Sequence, residues 1–595
     1  MISKPLSKIF QKSLDQGIYP ASWKLANVTA LHKKGSIYEC NNYRPISLLP
    51  CVSKICEKLV FNQIYTYLIR NNLINANQSG FRPGDSTVRQ LTAICHRIGQ
   101  SLDNGDELLA VFLDFKKAFD KVWHKGLTYK LDNIGIRGSL LKWLTNYLSN
   151  RQQCVVIQGR KSSYKYIHAG VPQGSVLGPL LFLVYINDIC SGVKSIVQLY
   201  ADDTSLFHVI KNRNIISAVN AINDDLLVIQ RWSHQWLVEV STDKSVTMII
   251  SRKSIPTGRQ PVIFGNNPLK NVCNHKHLGL WFDTKLSWSY HIDQICIQAS
   301  KRLNMMLPLK YKLSRNTLET MYISYVRPIL EYGDIIFDNC STLLKNNLEK
   351  IQIRAAQIVT GGKRFTSNTA LYRETGWTTL SARRHIHKLI LFHQIVHHIA
   401  PSYLTLFIPP AHNVRVTRQT DRLLIPQFQC KTDAFLKSFY PSVIHSWNNT
   451  IDNTTRHNIN KSSFKRMLNK QFAAPVCTEL ERMLHSVGSR PIQICMSQMR
   501  MGFSNLNSDL FAKQCTVSPD CHCGLAIETK AHFFHECITY CTHRNNMLRS
   551  LATLNFIVNP SVEIILHGLP NECIGNNIAL QAIFHLYINA TNRFT

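Results

Sequence analysis

Residues 199–207 read LYADDTSLF. Asp202 and Asp203 are adjacent, and the stretch contains no lysine or arginine to offset them. A like charge alongside raises a carboxylate's pKa and disfavours ionising both. Aspartate is also a common turn residue, so a plain turn accounts for the pair taken alone. The longer run SIVQLYADDTSLFHVI, residues 195–210, predicts two strands meeting at Ala201–Asp203, because Phe207 and Val209 alternate with His208. What the pair does depends on what else the fold delivers to that hairpin.

A third carboxylate lies upstream. ELLAVFLDF, residues 107–115, is short and almost continuously apolar, which suits a strand buried on both faces with Asp114 at its end. If that strand pairs with the hairpin, Asp114, Asp202 and Asp203 converge at one end of a sheet. Left unpaired they would repel, and bound divalent cations reverse that penalty. Mg²⁺ selects carboxylate and phosphate oxygens. Two such ions about 3.5–4 Å apart stabilise both the attacking and the leaving oxygen of a phosphoryl displacement. Neighbouring strand residues face opposite ways, so Asp202 is expected to be the tighter ligand, shared with Asp114, and Asp203 the more peripheral one.

The 595 residues are too many for one core and predict two to four structural units. Lys and Arg total 68 against 36 Asp and Glu, a formal net charge of +32. So large an excess points to a polyanionic partner, most often nucleic acid, with an anionic membrane surface as the alternative. Basic clusters recur in ARRHIHK (382–388), RVTRQTDR (415–422) and TTRHNINKSSFKR (454–466). The N-terminus MISKPLSKIF lacks the apolar core of a secretory signal. The apolar run LLFLVYI (180–186) is far short of the roughly 18 residues a span needs, so no membrane partner is expected. The 18 cysteines then belong in a reducing, intracellular setting, cytoplasm or nucleus, as thiols or metal ligands.

Residues 1–75 read as helical segments broken by YPASWK and by the loop HKKGSIYECNNYRPIS. After Asp114, KKAFDKVWHKGLTYKLDNIGI has helical spacing and stops at Gly135; RQQCVVIQG (151–159) reads as a strand. GVPQGSVLGPLLFLVYINDI opens on turn residues and continues as an apolar helix, and NAINDDLLVIQRWSHQWLVEV is an amphipathic one. Residues from about 290 to 410 look mainly helical, and the remainder is more polar.

FLDFKKAFDKVWH, GVPQGSVLGPLLFLVYINDI and LYADDTSLF occur in this order, with LHKKGSIYECNNYRPISLL upstream and STDKSVTMI (241–249) and HLGL (277–280) downstream. Together these blocks resemble the reverse transcriptase of non-LTR (LINE-type) retrotransposons, in particular the jockey-like branch. The resemblance implies an α+β right-hand polymerase, with an antiparallel palm sheet and fingers over 1–285 and a helical thumb over 286–410. It implies that Asp114, Asp202 and Asp203 hold two Mg²⁺ ions. Lys33 or Lys34, with Arg44, would bind the triphosphate of a dNTP, as Arg suits forked phosphate contacts. Phe119 matches the gate that excludes a ribose 2′-hydroxyl, a core aromatic being the competing reading. Gln173 and Gly174 match the contact to incoming nucleotide and template, Gly allowing close backbone approach. Lys244 matches a lysine that protonates pyrophosphate, against a plain surface lysine. His277, Leu278 and Gly279 match the primer grip. RNA template and DNA primer are the implied partners; the oligomeric state is unspecified.

MYISYVRPILEYGDIIF and KIQIRAAQIVTGG, within 321–362, and SFYPSVIHSWN (438–448) resemble downstream regions of the same elements. The basic region 411–595 is expected to be mainly helical and to carry a zinc-knuckle-like module at 515–541. In CHCGLAIETKAHFFHEC, Cys521, Cys523, His532 and Cys537 suit a structural Zn²⁺, with Cys515, His522, His535 and Cys541 as competing ligands. Such elements usually carry an endonuclease ahead of the polymerase, for which this chain has no room. An inactive, truncated nucleic-acid-binding remnant is therefore the alternative to an RNA-directed DNA polymerase, and a group II intron maturase, which shares the palm logic, is a third reading.

Overall fold

The structure, a computed structural model, describes residues 2–33, 35–254, 260–410, 423–472, 479–485, 487–556, 559–570 and 572–594. They form two compact units. One comprises Met1–Ser287 with the returning segments Ala400–Phe407 and Cys430–Phe435; the other comprises Trp288–Ile399, Ile408–Gln429 and Leu436–Thr595.

The strands of the first unit are, along the chain, β1 (Leu25–His32), β2 (Tyr43–Leu48), β3 (Glu107–Leu113), β4 (Arg151–Ile157), β5 (Arg160–Lys161) and β6 (Lys165–Ile167). There follow β7 (Ile196–Tyr200), β8 (Asp203–Ile210), β9 (Val246–Ile250), β10 (Ile263–Phe264), β11 (Asn267–Pro268), β12 (Lys270–Asn271), β13 (Asn274–His277) and β14 (Leu280–Asp283). The central sheet runs β12-β9-β3-β8-β7 and is antiparallel except for the short β12 edge. Strand β3 sits in its middle because every residue from Glu107 to Leu113 is buried, as its unbroken apolar run requires. Its one charged member, Glu107, accepts a hydrogen bond from Ser251 Oγ at 2.8 Å.

The helices Leu177–Ile186 and Ile215–Gln235 contribute to the core beside this sheet. Leu177–Ile186 is buried at almost every position, and each large apolar side chain so placed stabilises the core by about 1.5–3 kcal/mol. A second sheet, β2-β1-β4-β5 with β6 on β4, contains the strand expected over 151–159 as β4, whereas β1 and β2 occupy residues read above as helical or loop. Leu25–His32 is a strand because Ala26 and Val28 bury alternate positions, a period of two that the short run LANVTALH hides among its polar residues. KKAFDKVWHKG likewise opens as a 3₁₀ turn, Ala118–Lys121, and the helix starts only at His124.

The returning segments complete this unit. Tyr403 Oη donates to Asp85 at 2.9 Å, Phe407 and Phe435 pack on His96, and Asp103 accepts from the Lys431 and Thr432 amides at 2.9 and 2.7 Å.

The second unit is helical, and residues expected to divide near 410 share it. Its interior explains why. Glu374 is buried and accepts from Arg315 at 2.6 Å, from both nitrogens of an Arg500 fork at 2.7 and 3.0 Å, and from Ser497 at 2.8 Å. Arg500 and Arg315 hold the Glu374 carboxyl far below its ordinary 4.5 against the opposing effect of burial. ARRHIHK proves to be internal wiring: Arg383 pairs with Glu331, Arg384 and Lys388 with Asp338, and His387 with Asp334. Those charges are spent inside the fold. By contrast Lys461, Lys465 and Arg466 of TTRHNINKSSFKR are exposed on the helix Lys461–Gln471, while RVTRQTDR lies outside the described residues.

Removing the charge of Glu374 leaves two buried guanidiniums without their partner. Glu374→Gln is expected to lower unfolding free energy at pH 7 by about 3–5 kcal/mol. A depressed carboxylate contributes fully above its unfolded value and loses that contribution as pH falls below it, so the difference between the two proteins should shrink below pH 4.5. Denaturant melts at pH 7 and pH 3.5 measure both effects.

Candidate active site

The hairpin forms as its alternation requires. Tyr200 pairs with Asp203 across a two-residue turn, Ala201–Asp202, in which Ala201 takes the left-handed conformation (φ 56°). The register of β3 on β8 ends with Leu113 opposite Thr204, so Asp114 emerges at the same sheet end as the turn. Asp114 is itself tied down: its amide donates to Ser245 Oγ at 3.1 Å and its carbonyl accepts from Ser241 N at 2.7 Å. That places STDKS against the end of β3, and Lys244 Nζ stands 3.7 Å from Asp114 Oδ2.

Asp114 and Asp202 line one cleft of about 1390 Å³, with Lys33, Arg44, Phe119, Gln173, Gly174 and Lys244 also on its walls. Partial burial first, then the Asp114 charge, push the Asp202 carboxyl above its ordinary value, while Lys33 and Arg44 pull it back. Asp203 is not among the residues that line the cleft. Desolvation by the surrounding chain, then Asp202 and Asp114, push its carboxyl up to about 6. Like charges a few ångströms apart repel by about 1–4 kcal/mol. The three carboxylates thus form one coupled anionic set, and no cation among the described residues sits closer than Lys244. Such oxygen-only donors are what Mg²⁺ takes, so the residues fit the ion that the motif implies.

The walls are built by close backbone approach. Gly174 has φ 110°, and a Cβ there would lie 2.6 Å from the Ser47 carbonyl oxygen, so only glycine fits. Gln173 accepts from Ser47 N through its carbonyl at 2.7 Å and donates from Nε2 to Asp120 at 2.9 Å. Val171 N donates to Phe119 O at 2.8 Å, so the two loops carrying Phe119 and Gln173 are joined. The Phe119 ring lies stacked on Phe182 (4.3 Å) and edge-on to Phe81 (5.7 Å). It is half-buried and still lines the cleft.

Two supports went unread in the sequence. Glu57, fully buried, accepts from the Val176 and Leu177 amides at 2.8 and 3.1 Å and so caps the helix that follows Gln173 and Gly174. The segment Asn77–Gly80 runs beside β7, with Ser79 N donating to Leu199 O and Leu199 N to Asn77 O, both at 2.9 Å. A charged residue on the apolar spacing of CEKLV was the legible signal for the first; the second left none.

Of the remaining expected residues, Lys34 lies outside the described residues. His277 is buried against Phe112 (5.0 Å) and Phe282, and burial with the nearby His275 pushes its imidazole down to about 3. It therefore braces the hairpin from beneath, leaving Leu278 (φ 46°) and exposed Gly279 (φ 92°) as the turn itself.

In the second unit Cys521, Cys523, His532 and Cys537 present ligand atoms all within 4.8 Å of one another. Cys521 and Cys537 sulfurs are 3.6 Å apart, and Cys523 Sγ is 3.3 Å from His532 Nε2. The one-residue spacing works because Cys521 N donates to Ala526 O (2.8 Å) and Gly524, at φ 73°, turns the chain sharply. The Leu525 amide, with Cys521, His532 and Cys537 alongside, holds the Cys523 thiol down at about 7. Cys515, His522, His535 and Cys541 stay outside this group. Three thiols and an imidazole at this spacing fit Zn²⁺.

The family profile of reverse transcriptases (RNA-dependent DNA polymerases) matches residues 31–282. Those residues are therefore similar to a reverse transcriptase domain. The chain is 29% identical over 387 residues to the probable RNA-directed DNA polymerase from transposon BS of Drosophila melanogaster, covering 63% of this chain and 42% of that protein. It is 32% identical over 366 residues to the RNA-directed DNA polymerase from mobile element jockey of the same fly, covering 59% and 39%. The similarity to jockey-like non-LTR reverse transcriptases therefore extends past the domain, and the chain spans about two fifths of the length of these curated relatives. No helix among the described residues is long and apolar enough to cross a membrane.

With Asp203 holding its proton up to about pH 6, cation binding should weaken as pH falls through that value. Mn²⁺ titrations of the full chain are expected to give weaker binding at pH 5.5 than at pH 7.5; equal affinities would remove Asp203 from the set.

Proposed function

We propose that the chain is an RNA-directed DNA polymerase that extends a primer 3′-hydroxyl with dNTPs on an RNA template. The observation that carries it is the convergence of Asp114 and Asp202 in a cleft that Lys33 and Arg44 also line. When bound there, a pair of Mg²⁺ ions would neutralise the attacking and leaving oxygens of nucleotidyl transfer. The chain's own residues do the rest. Asp114 and Asp202 supply the ion ligands, with Asp203 tuning their charge. Lys33 and Arg44 attract the triphosphate. The joined loops of Phe119 and Gln173 shape the sugar and base side of the site. Lys244, next to Asp114, would pass a proton to departing pyrophosphate. The Leu278–Gly279 turn is where the primer would rest.

In the same reading the Cys₃His cluster binds one Zn²⁺ that orders the segment around Cys521–Cys537, and the exposed lysines of the helix Lys461–Gln471 help to hold RNA phosphates. The intact carboxylate set gives no support to an inactive remnant.

Primer extension by the full chain with an RNA template, dNTPs and Mg²⁺ tests the polymerase. Asp202→Asn is expected to reduce extension on the order of 10²–10³-fold or more while primer–template binding persists. Extension that survives the substitution would sink the metal assignment. For the second site, mass spectrometry should find one zinc per chain, lost in the double variant Cys521→Ser, Cys523→Ser together with several degrees of melting temperature. Metal-free protein of unchanged stability would contradict that assignment.

A further inference from the structure

Ala201 is a non-glycine residue in the left-handed conformation, at the position that aims Asp202 into the cleft. Alanine pays roughly 1–2 kcal/mol for that backbone, so something must hold it there. Gln78 does so. Its side chain is buried, and its single Oε1 accepts from Ala201 N at 2.9 Å and from Gly80 N at 2.8 Å, while Nε2 makes a long 3.5 Å contact to the Ala201 carbonyl. A second feature shows how tightly the two segments meet. A Cβ on Gly80 would lie 2.1 Å from Ala201 N, closer than any side chain permits, so residue 80 must be glycine for Gln78 to reach the turn. Main-chain pairing of Asn77 and Ser79 with Leu199 fixes the approach from the other side.

We propose that Gln78 is a positioning residue for divalent-cation binding, setting the Ala201 backbone so that Asp202 meets Asp114 at the ion. The proposal rests on the carboxylates being the cation site of the polymerase. Losing the acceptor frees the turn to relax towards right-handed backbone and swings the Asp202 carboxylate away from its partner. Removal of a hydrogen bond of this kind corresponds to about a tenfold change in an equilibrium constant.

The test uses the full chain in three variants. Gln78→Met keeps the volume and removes the acceptor, and Gln78→Thr removes the reach. Gln78→Glu retains an oxygen that accepts from both amides whether or not it carries a proton. Mn²⁺ binding is followed by electron paramagnetic resonance and half-saturating Mg²⁺ by primer extension, with melting temperature and primer–template affinity recorded alongside. Gln78→Met and Gln78→Thr are expected to weaken Mn²⁺ binding and raise the Mg²⁺ midpoint about tenfold at unchanged primer–template affinity, and Gln78→Glu to recover most of the Mn²⁺ affinity. Wild-type Mn²⁺ affinity in a folded Gln78→Met or Gln78→Thr protein overturns the proposal, as does a loss confined to extension rate. If the unmodified chain extends no primer, the polymerase reading fails, and the Mn²⁺ comparison, which needs no turnover, still decides the role of Gln78.

Discussion

Three carboxylates held at one sheet end, beside a cleft that Lys33 and Arg44 also line, are the constraint around which the first unit is organised. The repulsion among Asp114, Asp202 and Asp203 is unfavourable to a folded chain in isolation, and after burial it adds to the raised carboxyls of Asp202 and Asp203. A sheet tolerates it only if the backbone beneath is over-determined. That is what β3 supplies: buried on both faces and paired on both edges, it leaves Asp114 no freedom beyond its side chain.

The supports follow from that need. Each group facing the cleft is held by an element from elsewhere in the chain: Asp114 by the Ser241–Ser245 loop, Gln173 by Ser47 and Asp120, and the helix after Gly174 by Glu57. Backbone contact at Gly80 and Gly174 is closer than any side chain would allow. Even the stretch around Tyr403, which leaves the second unit to rejoin the first, ends on Asp85 beside the loop that carries Gln78. Rigid placement of this sort lets a few carboxylates do ion chemistry on a small sheet.

The hairpin, the buried strand and the apolar helix were legible because each is a local pattern: alternation, an unbroken run, apolar positions on every side. The strand Leu25–His32 was not, since its polar residues at Asn27 and Thr29 mask a period of two. Ser245 and Gln78 were illegible for a different reason. Their partners lie more than a hundred residues away, and a polar side chain carries no mark of the amide it will meet. Charge misled in part. The run ARRHIHK looked like a basic surface, yet Asp334, Asp338 and Glu331 absorb it within the second unit.

The central claim is that Asp114 and Asp202 share divalent cations in the cleft. Anomalous diffraction from crystals of the full chain with primer–template, a non-hydrolysable dNTP analogue and Mn²⁺ tests it most directly. The expected result is two peaks at the end of β3, about 3.5–4 Å apart and within coordinating distance of Asp114 and Asp202. A well-ordered cleft with nucleotide bound and no peak within coordinating distance of Asp202 would contradict it.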